Sequence, residues 1–472
     1  MALGVLAALV RLLYLTEREI SLDEPFSLYH AQGSIDNILG LMPNENNPPI
    51  HFLLLHFWMK WFGNGVWILR FSSAVFSILS VSLCFFGLNR LFNFKLAAIS
   101  SLLLLFSNSA IFYAHDIRAY SLLMFLFMLN FFLFFTLTIS TPGKKHSILF
   151  IISGILMLYT HFISVVYFFS LALITLIINR KEAQKLKNML WLYALLLLGF
   201  LPYLSVFFTR LTATEQSIGW LMPPVPLDLY WILRRFTNQG GLALFAGLGL
   251  VMHILFYLWK KKRFQTADKV LLLFGLFFLL LSYIISLKIP LFHERYLLLF
   301  LPIWLALISR AFLEWINAFA ALKWPAMGLL LFYLFKSDLH GNDHLKHRET
   351  ALLMKTHQSN GGKVIICPPW WNKNLAYHAY PEAFKDYGKL EEHLERMGIY
   401  SVYKASDLPL GFITNSDSLL VVDGGMALTD VKGELSRELE KAQLMPSVML
   451  ITPTFESRVY YKSKETRERP SK

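Results

Sequence analysis

Apolar runs of roughly 15 to 23 residues recur along the first 335 positions of this chain, each about long enough to cross a bilayer once tilt and snorkelling flanks are allowed. They fall near residues 2–15, 66–88, 96–113, 119–139, 147–160, 162–178, 189–208, 241–259, 270–287, 296–310 and 322–335. A water-soluble fold has no place for so many segments of that length. The composition agrees: of 472 residues 56% are hydrophobic and only 16% charged, with a mean hydropathy of +0.49. The sequence therefore predicts a polytopic α-helical membrane protein with about 11 crossings. No basic region precedes the first apolar stretch and no small-residue cleavage site follows it, so this stretch is expected to stay as the first helix.

A net charge of +13 would suit a nucleic-acid binder, but the basic residues are not spread as such a surface needs. They gather in alternate short loops: Arg90 and Lys95; Lys144 and Lys145; Arg180, Lys181, Lys185 and Lys187; Lys260 to Lys262 with Arg263 and Lys269; Arg310 and Lys323. These loops mark the cytoplasmic side. The Asp23-Glu24 loop, the Asp116 loop, the long loop 209–240 and the His293 loop are then extracytoplasmic. Two cysteines, Cys84 and Cys367, offer neither a disulfide framework nor a metal-type spacing.

From about Lys336 the charge rises and no further run is long enough to span, which predicts a division into a transmembrane domain, 1–335, and a soluble domain, 336–472. Short apolar strands are expected at 363–367, 418–422 and 447–452, with helices near 386–398 and 430–443; strands separated by helices read as a small α/β unit. An odd number of crossings from a cytoplasmic start places this unit outside. The stretch 44–61, which contains Pro48-Pro49 and ends on aromatic residues with one Lys, is expected to be an interfacial helix lying in the head-group layer. The Trp and Pro residues of 220–226 have the same interfacial character.

Four polar clusters fall on the outer face: Asp23-Glu24 with Asn47 behind it; His115, Asp116, Arg118 and Tyr120; the turn Tyr159-Thr160-His161; and Lys288 with His293, Glu294, Arg295 and Tyr296. A single acid at a helix end is usually a solvated cap. Four clusters on one face, with carboxylates and arginines among them, suit a site that deprotonates a hydroxyl while holding an anionic leaving group. Asp23 is the candidate general base. Glu24 is either its partner or a cation ligand, and Asp116 is a further catalytic carboxylate. Arg118 pairs with Asp116 or Glu24, either as a loop-fixing salt bridge or in a catalytic role. Arg295 is the candidate phosphate binder, because a guanidinium gives planar two-pronged donation. Lys288, Arg234 and Arg235 are further donor-phosphate candidates, the last two either guiding an anionic donor or anchoring their loop. A satisfied turn histidine is commoner than a ligand, yet His115, His161 and Glu24 are candidates for holding a divalent metal cation. Arg11, costly in lipid, is expected to face the protein interior.

The order of these elements resembles the GT-C glycosyltransferases, in particular the bacterial relatives of the protein O-mannosyltransferases and the aminoarabinose lipid A transferase. The resemblance rests on Asp23-Glu24, Asn47-Pro48-Pro49, Tyr113 to Tyr120, Tyr159 to His161 and Arg295-Tyr296, and covers roughly residues 1–310. It implies transfer of a sugar from a polyprenyl-phosphate donor to a protein, lipid or glycan acceptor at the extracytoplasmic face of a bacterial plasma (inner) membrane, with inversion at the anomeric carbon. It also implies that Asp23 is the base. Some relatives bind a divalent metal and others work without one. His51 stands where an aromatic residue is frequent, and His115-Asp116 where Gln-Glu or similar is common. A transporter of lipid-linked glycans is the rival from outside enzymology, but transporters place ionisable groups near the midplane on broken, repeated helices. A glycan ligase or polymerase would favour an arginine-led outer loop over the acidic pair.

Overall fold

The computed structural model describes residues 2–45, 47–140, 143–217, 222–259, 264–289, 291–341 and 344–462. The basic loop residues 260–263, Trp220 of the expected interfacial segment and Asn46 lie outside these. The chain divides into two compact units, Met1–Thr16 with Leu39–Gly341, and Glu17–Ile38 with Asn342–Lys472. The acidic loop of residues 23 and 24 is thus built into the second unit.

The first unit is helical, and every expected apolar run is found in a helix. Among the described residues, five helices are long and apolar enough to cross a membrane, or up to seven if each of two bent pairs counts as one span. Shorter apolar helices occupy Ala2–Leu12, Ile163–Ile178 and Ala320–Phe335. The run expected as one span at 96–113 is one of the bent pairs, Phe94–Leu105 and Asn108–Ala114, meeting at 58°. The break has a local cause: Ser107 adopts extended backbone and its hydroxyl accepts from the Ala110 amide, starting a new helix. The segment expected to lie at the interface forms the helix Ile50–Phe62, whose last turns expose Trp61 and Phe62.

A helix that stops inside an apolar body leaves its last carbonyls without partners, and lipid supplies none. Here side chains from four other places supply them. The Tyr333 hydroxyl donates to the Leu103 carbonyl at 2.9 Å. Arg11 donates to Leu104 at 3.2 Å and Leu105 at 2.7 Å, and its Nε to Ser77 Oγ at 2.9 Å. Asn238 and Ser337 both donate to the Phe106 carbonyl, at 2.8 and 2.6 Å. Arg11 is fully buried, as its position in an apolar helix requires.

The second unit carries a five-stranded sheet in the order β2-β1-β3-β5-β4, with β1 Lys363–Cys367, β2 Ile399–Ser401, β3 Ser418–Asp423, β4 Leu444–Ile451 and β5 Glu456–Lys462. β1 runs parallel to both β2 and β3, and β5 antiparallel to β3 and β4. Ile365, Leu419 and Val421 of the sheet pack with Leu435 and Leu439, which lie four apart on one face of the helix Glu434–Lys441. Asp430 caps that helix by accepting from the Glu434 and Leu435 amides at 2.8 and 2.7 Å.

Removing the Arg11 guanidinium strands buried carbonyls and a buried charge-assisted network, so Arg11→Met is expected to destabilise the protein by about 2 kcal/mol or more. Arg11→Lys, a point charge without the fork, should fall between it and the parent. Thermal unfolding in detergent checks this, and equal midpoints for all three proteins would contradict it.

Candidate functional site

In the first unit the sequence clusters from three separate loops converge. The Asn108–Ala114 helix ends at His115, residues 115–119 turn, and a new helix, Tyr120–Ile139, begins. His115 is turned inward, its Nε2 3.0 Å from the carbonyl oxygen of Arg11. The same arginine that closes the broken helix therefore also fixes the start of this turn. Asp116 and Arg118 are each 8% exposed, and Tyr120 packs on Tyr113 with ring centroids 5.1 Å apart.

His161 lies within electrostatic reach of both Arg118 and Arg295. Its ring is 6.0 Å from Tyr120 and 5.2 Å from Tyr296, and its Nδ1 accepts from the Ile163 amide at 3.1 Å. Burial first, and then the positive charges of Arg295 and Arg118, push His161 down to about 3, so it stays neutral at physiological pH. Arg118 bears in the same way on His51, which burial also pushes down to about 3. The backbone joins two of the motifs, because the Ile50 amide after Pro48-Pro49 donates to the Tyr159 carbonyl at 3.0 Å. Asn47 donates from Nδ2 to Glu45 at 2.7 Å, holding the approach to the Pro pair.

Arg295 donates to the Tyr296 hydroxyl at 3.0 Å and lies over its ring, while its amide is 3.4 Å from His293 Nδ1. The neighbouring Glu294, which sequence reasoning gave no role, pins this loop. It accepts from Ser109 Oγ at 2.5 Å and pairs with Arg235 at 3.5 Å. Burial raises the Glu294 carboxyl, with Ser109 and Arg235 opposing the shift. Arg234 sits over Trp231 at 5.0 Å, and Lys288 is exposed in the turn after the helix Thr266–Ser286. Two guanidinium groups near a neutral imidazole, one of them bonded to a tyrosine hydroxyl, are a donor set of the kind that holds a phosphate by charge-assisted hydrogen bonds.

In the second unit, Asp23 precedes the helix Glu24–Ala31 and is partly exposed. Glu24 is buried: its Oε2 accepts from the Ser21 amide at 3.1 Å and lies 3.5 Å from Arg18. Of the two adjacent acidic residues, one is thus locked within the protein and the other is partly exposed. Glu19 accepts from the amides of His347 and Arg348, the latter at 3.1 Å, at the start of the helix His347–Ser359. Among the described residues no group of three or more His, Cys, Asp or Glu side chains gathers to hold a metal ion, so the candidates Glu24, His115 and His161 are not assembled into such a group.

Residues 46–206 match the family model described as dolichyl-phosphate-mannose-protein mannosyltransferase. That span includes the Pro-Pro element, the turn at 115–119 and His161. No curated protein sequence matches the chain. Among solved structures the chain is similar to ArnT from Cupriavidus metallidurans in the apo state, at 12% identity and TM-score 0.58, over 97% of each chain. The same protein bound to undecaprenyl phosphate matches at 12% identity and TM-score 0.57, again over 97% of each chain. The archaeal oligosaccharyltransferase AglB from Archaeoglobus fulgidus, in complex with an inhibitory peptide and a dolichol-phosphate, matches at 11% identity and TM-score 0.52, over 99% of this chain and 74% of that one. At such identities the likeness is one of fold. The GT-C, PMT-like resemblance carried by the ordered motifs is borne out by these matches.

His347 generates a test in the second unit. Its Nδ1 is 2.7 Å from Asn374 Oδ1 and its Nε2 2.9 Å from Thr454 Oγ1. Burial pushes it down from 6.5 to about 4, with Asn374, Glu19 and Glu24 pulling it up and His378 pulling it down. The unfolded chain takes up the proton first, so this contribution is complete above about pH 6.5 and is lost as pH falls from there toward 4. His347→Gln is expected to flatten that loss of unfolding midpoint between pH 7 and 5. Parallel pH profiles for parent and variant would contradict it.

Proposed function

We propose that this GT-C-type membrane protein is a glycosyltransferase that moves a sugar from a polyprenyl-phosphate-linked donor to a hydroxyl or amine acceptor at the extracytoplasmic face. The observation that carries the reading is the convergence of Arg118 and Arg295 on the neutral His161, flanked by Tyr120 and Tyr296. Such a group suits a phosphate that must be held at the bilayer boundary while its lipid tail stays in hydrocarbon. The ligands bound in structures of similar fold, undecaprenyl phosphate with ArnT and dolichol-phosphate with AglB, support the same class of donor. The mannosyltransferase family model makes mannose the first sugar to test.

The chemistry assigned to the chain is a single displacement. Asp23 accepts the proton of the acceptor as its oxygen or nitrogen attacks the anomeric carbon. The new bond forms as the bond from that carbon to the phosphate oxygen breaks, and the electron pair leaves with the polyprenyl phosphate. Arg295 and Arg118 stabilise the charge that grows on that leaving group. Asp116 is a further catalytic carboxylate, Arg235 acts through the Glu294 loop it holds, and Lys288 and Arg234 supply positive potential. The acceptor, whether protein, lipid or glycan, is set by groups outside this charge arrangement.

Release of undecaprenyl phosphate from mannosyl-phosphoryl-undecaprenol, followed against the corresponding glucosyl and aminoarabinosyl donors, tests the activity without knowledge of the acceptor. The parent is expected to release it from at least one donor and Asp23→Asn to lose activity by at least about a hundredfold while inserting normally. Arg295→Ala is expected to weaken donor binding strongly and Arg295→Lys to recover part of it. Full turnover by Asp23→Asn would remove the base, and unchanged donor affinity in both Arg295 variants would remove the phosphate ligand. Orientation is tested separately: a cysteine at Asn415 should react with a membrane-impermeant reagent in intact cells, and labelling only after lysis would put the second unit inside.

A further inference from the structure

Leu22, the residue immediately before Asp23, has φ +52, a left-handed conformation that bulky side chains rarely adopt. Its side chain is 41% exposed, so packing of the leucine does not compensate the strain. Such a conformation persists only where the surroundings over-determine it. The surroundings here are one helix of the second unit, Asn372–Ala379. Asn374 and His378 lie four residues apart and so on one face. Asn374 Nδ2 donates to the Leu22 carbonyl at 2.9 Å, and His378 Nε2 lies 2.7 Å from the Ile20 carbonyl. A carbonyl only accepts, so His378 carries its proton on Nε2.

The Asn374 amide is itself oriented. Its Oδ1 takes the proton of His347 Nδ1, and His347 Nε2 accepts from Thr454. With Leu22 occupying the amide nitrogen, one tautomer of His347 and one orientation of Asn374 satisfy every partner in this row. On the far side of the strained residue, Glu24 accepts from the Ser21 amide and Ser27 Oγ donates to the Asp23 carbonyl at 3.2 Å. The backbone on both sides of Asp23 is therefore fixed, and Asp23 itself is partly exposed.

We infer that Asn374 and His378 are positioning residues for the transfer reaction: they clamp the Leu22 and Ile20 carbonyls, hold Leu22 in its left-handed conformation, and so aim the Asp23 carboxylate. This rests on the reading of Asp23 as the base. It gives the C-terminal unit a task in catalysis that does not depend on its binding an acceptor. A small misplacement of a base costs rate and leaves donor binding intact.

The test uses the full-length protein with mannosyl-phosphoryl-undecaprenol, together with amide hydrogen exchange. Asn374→Asp keeps the acceptor for His347 but has no proton for Leu22, and His378→Phe keeps the ring without the donor. Both are expected to speed exchange in residues 20–27 while leaving β1 unchanged, and to lower kcat by about tenfold to a hundredfold with KM for the donor little moved. His378→Gln, which restores a donor, and Leu22→Gly, which adopts the left-handed conformation freely, are expected to keep most of the parent's kcat. Unchanged exchange in residues 20–27 overturns the clamp whatever the activity. Faster exchange with undiminished kcat, alongside an inactive Asp23→Asn, overturns the positioning role alone. An active Asp23→Asn overturns the assignment of the base, a different failure from either.

Discussion

A helix that breaks within an apolar body must find hydrogen-bond donors for its last carbonyls, and the first unit is organised around that demand. The break between Phe94–Leu105 and Asn108–Ala114 exposes four successive carbonyls, at residues 103 to 106, and each is met by a side chain from elsewhere in the unit. Arg11 meets two of them from the first helix. Because its own backbone oxygen is bonded to His115, the closing of the break and the placing of the 115–119 turn are one structural event. The broken helix is what turns Asp116 and Arg118 away from the path a straight span would have taken.

Electrostatics then decides what the turn can do. Arg118 and Arg295 come from segments far apart in sequence, yet both act on the His161 ring and help keep it neutral. A protonated histidine there would add a third positive charge. A neutral one confines the local positive charge to the two guanidinium groups, beside a ring N–H and tyrosine hydroxyls. Glu294 is close by but engaged by Ser109 and Arg235, so the carboxylate serves to fix the Arg295 loop.

Much of this was legible in the sequence where the signal is local. The apolar runs gave the helices, and the lipid cost of Arg11 correctly turned it inward. The ordered motifs pointed to the GT-C fold. What escaped is what long-range contact creates. The run at 96–113 looked continuous by hydropathy, although Ser107 before Asn108 carried a helix-start signal that hydropathy alone overrides. Glu294 and Ser109 are 185 residues apart, and no pattern links them. The acidic pair looked like one functional unit, but only the fold shows that Glu24 is buried against Arg18 while Asp23 remains partly exposed. β2, three residues long, is too short to show a period, and β5 does alternate, with Glu456, Arg458 and Lys462 on one face, but Ser457, Val459 and Tyr461 on the other are too weakly apolar to stand out as a strand.

The central claim is that the Arg118, His161 and Arg295 group holds the phosphate of a polyprenyl lipid. Photo-crosslinking tests it most directly, with an undecaprenyl phosphate carrying a photoreactive group on the isoprene next to the phosphate and the adducts mapped by mass spectrometry. The account predicts adducts concentrated in residues 115–120, 159–163 and 293–297, suppressed by excess unlabelled undecaprenyl phosphate. Adducts spread evenly over the lipid-facing helices, or insensitive to that competitor, would contradict it.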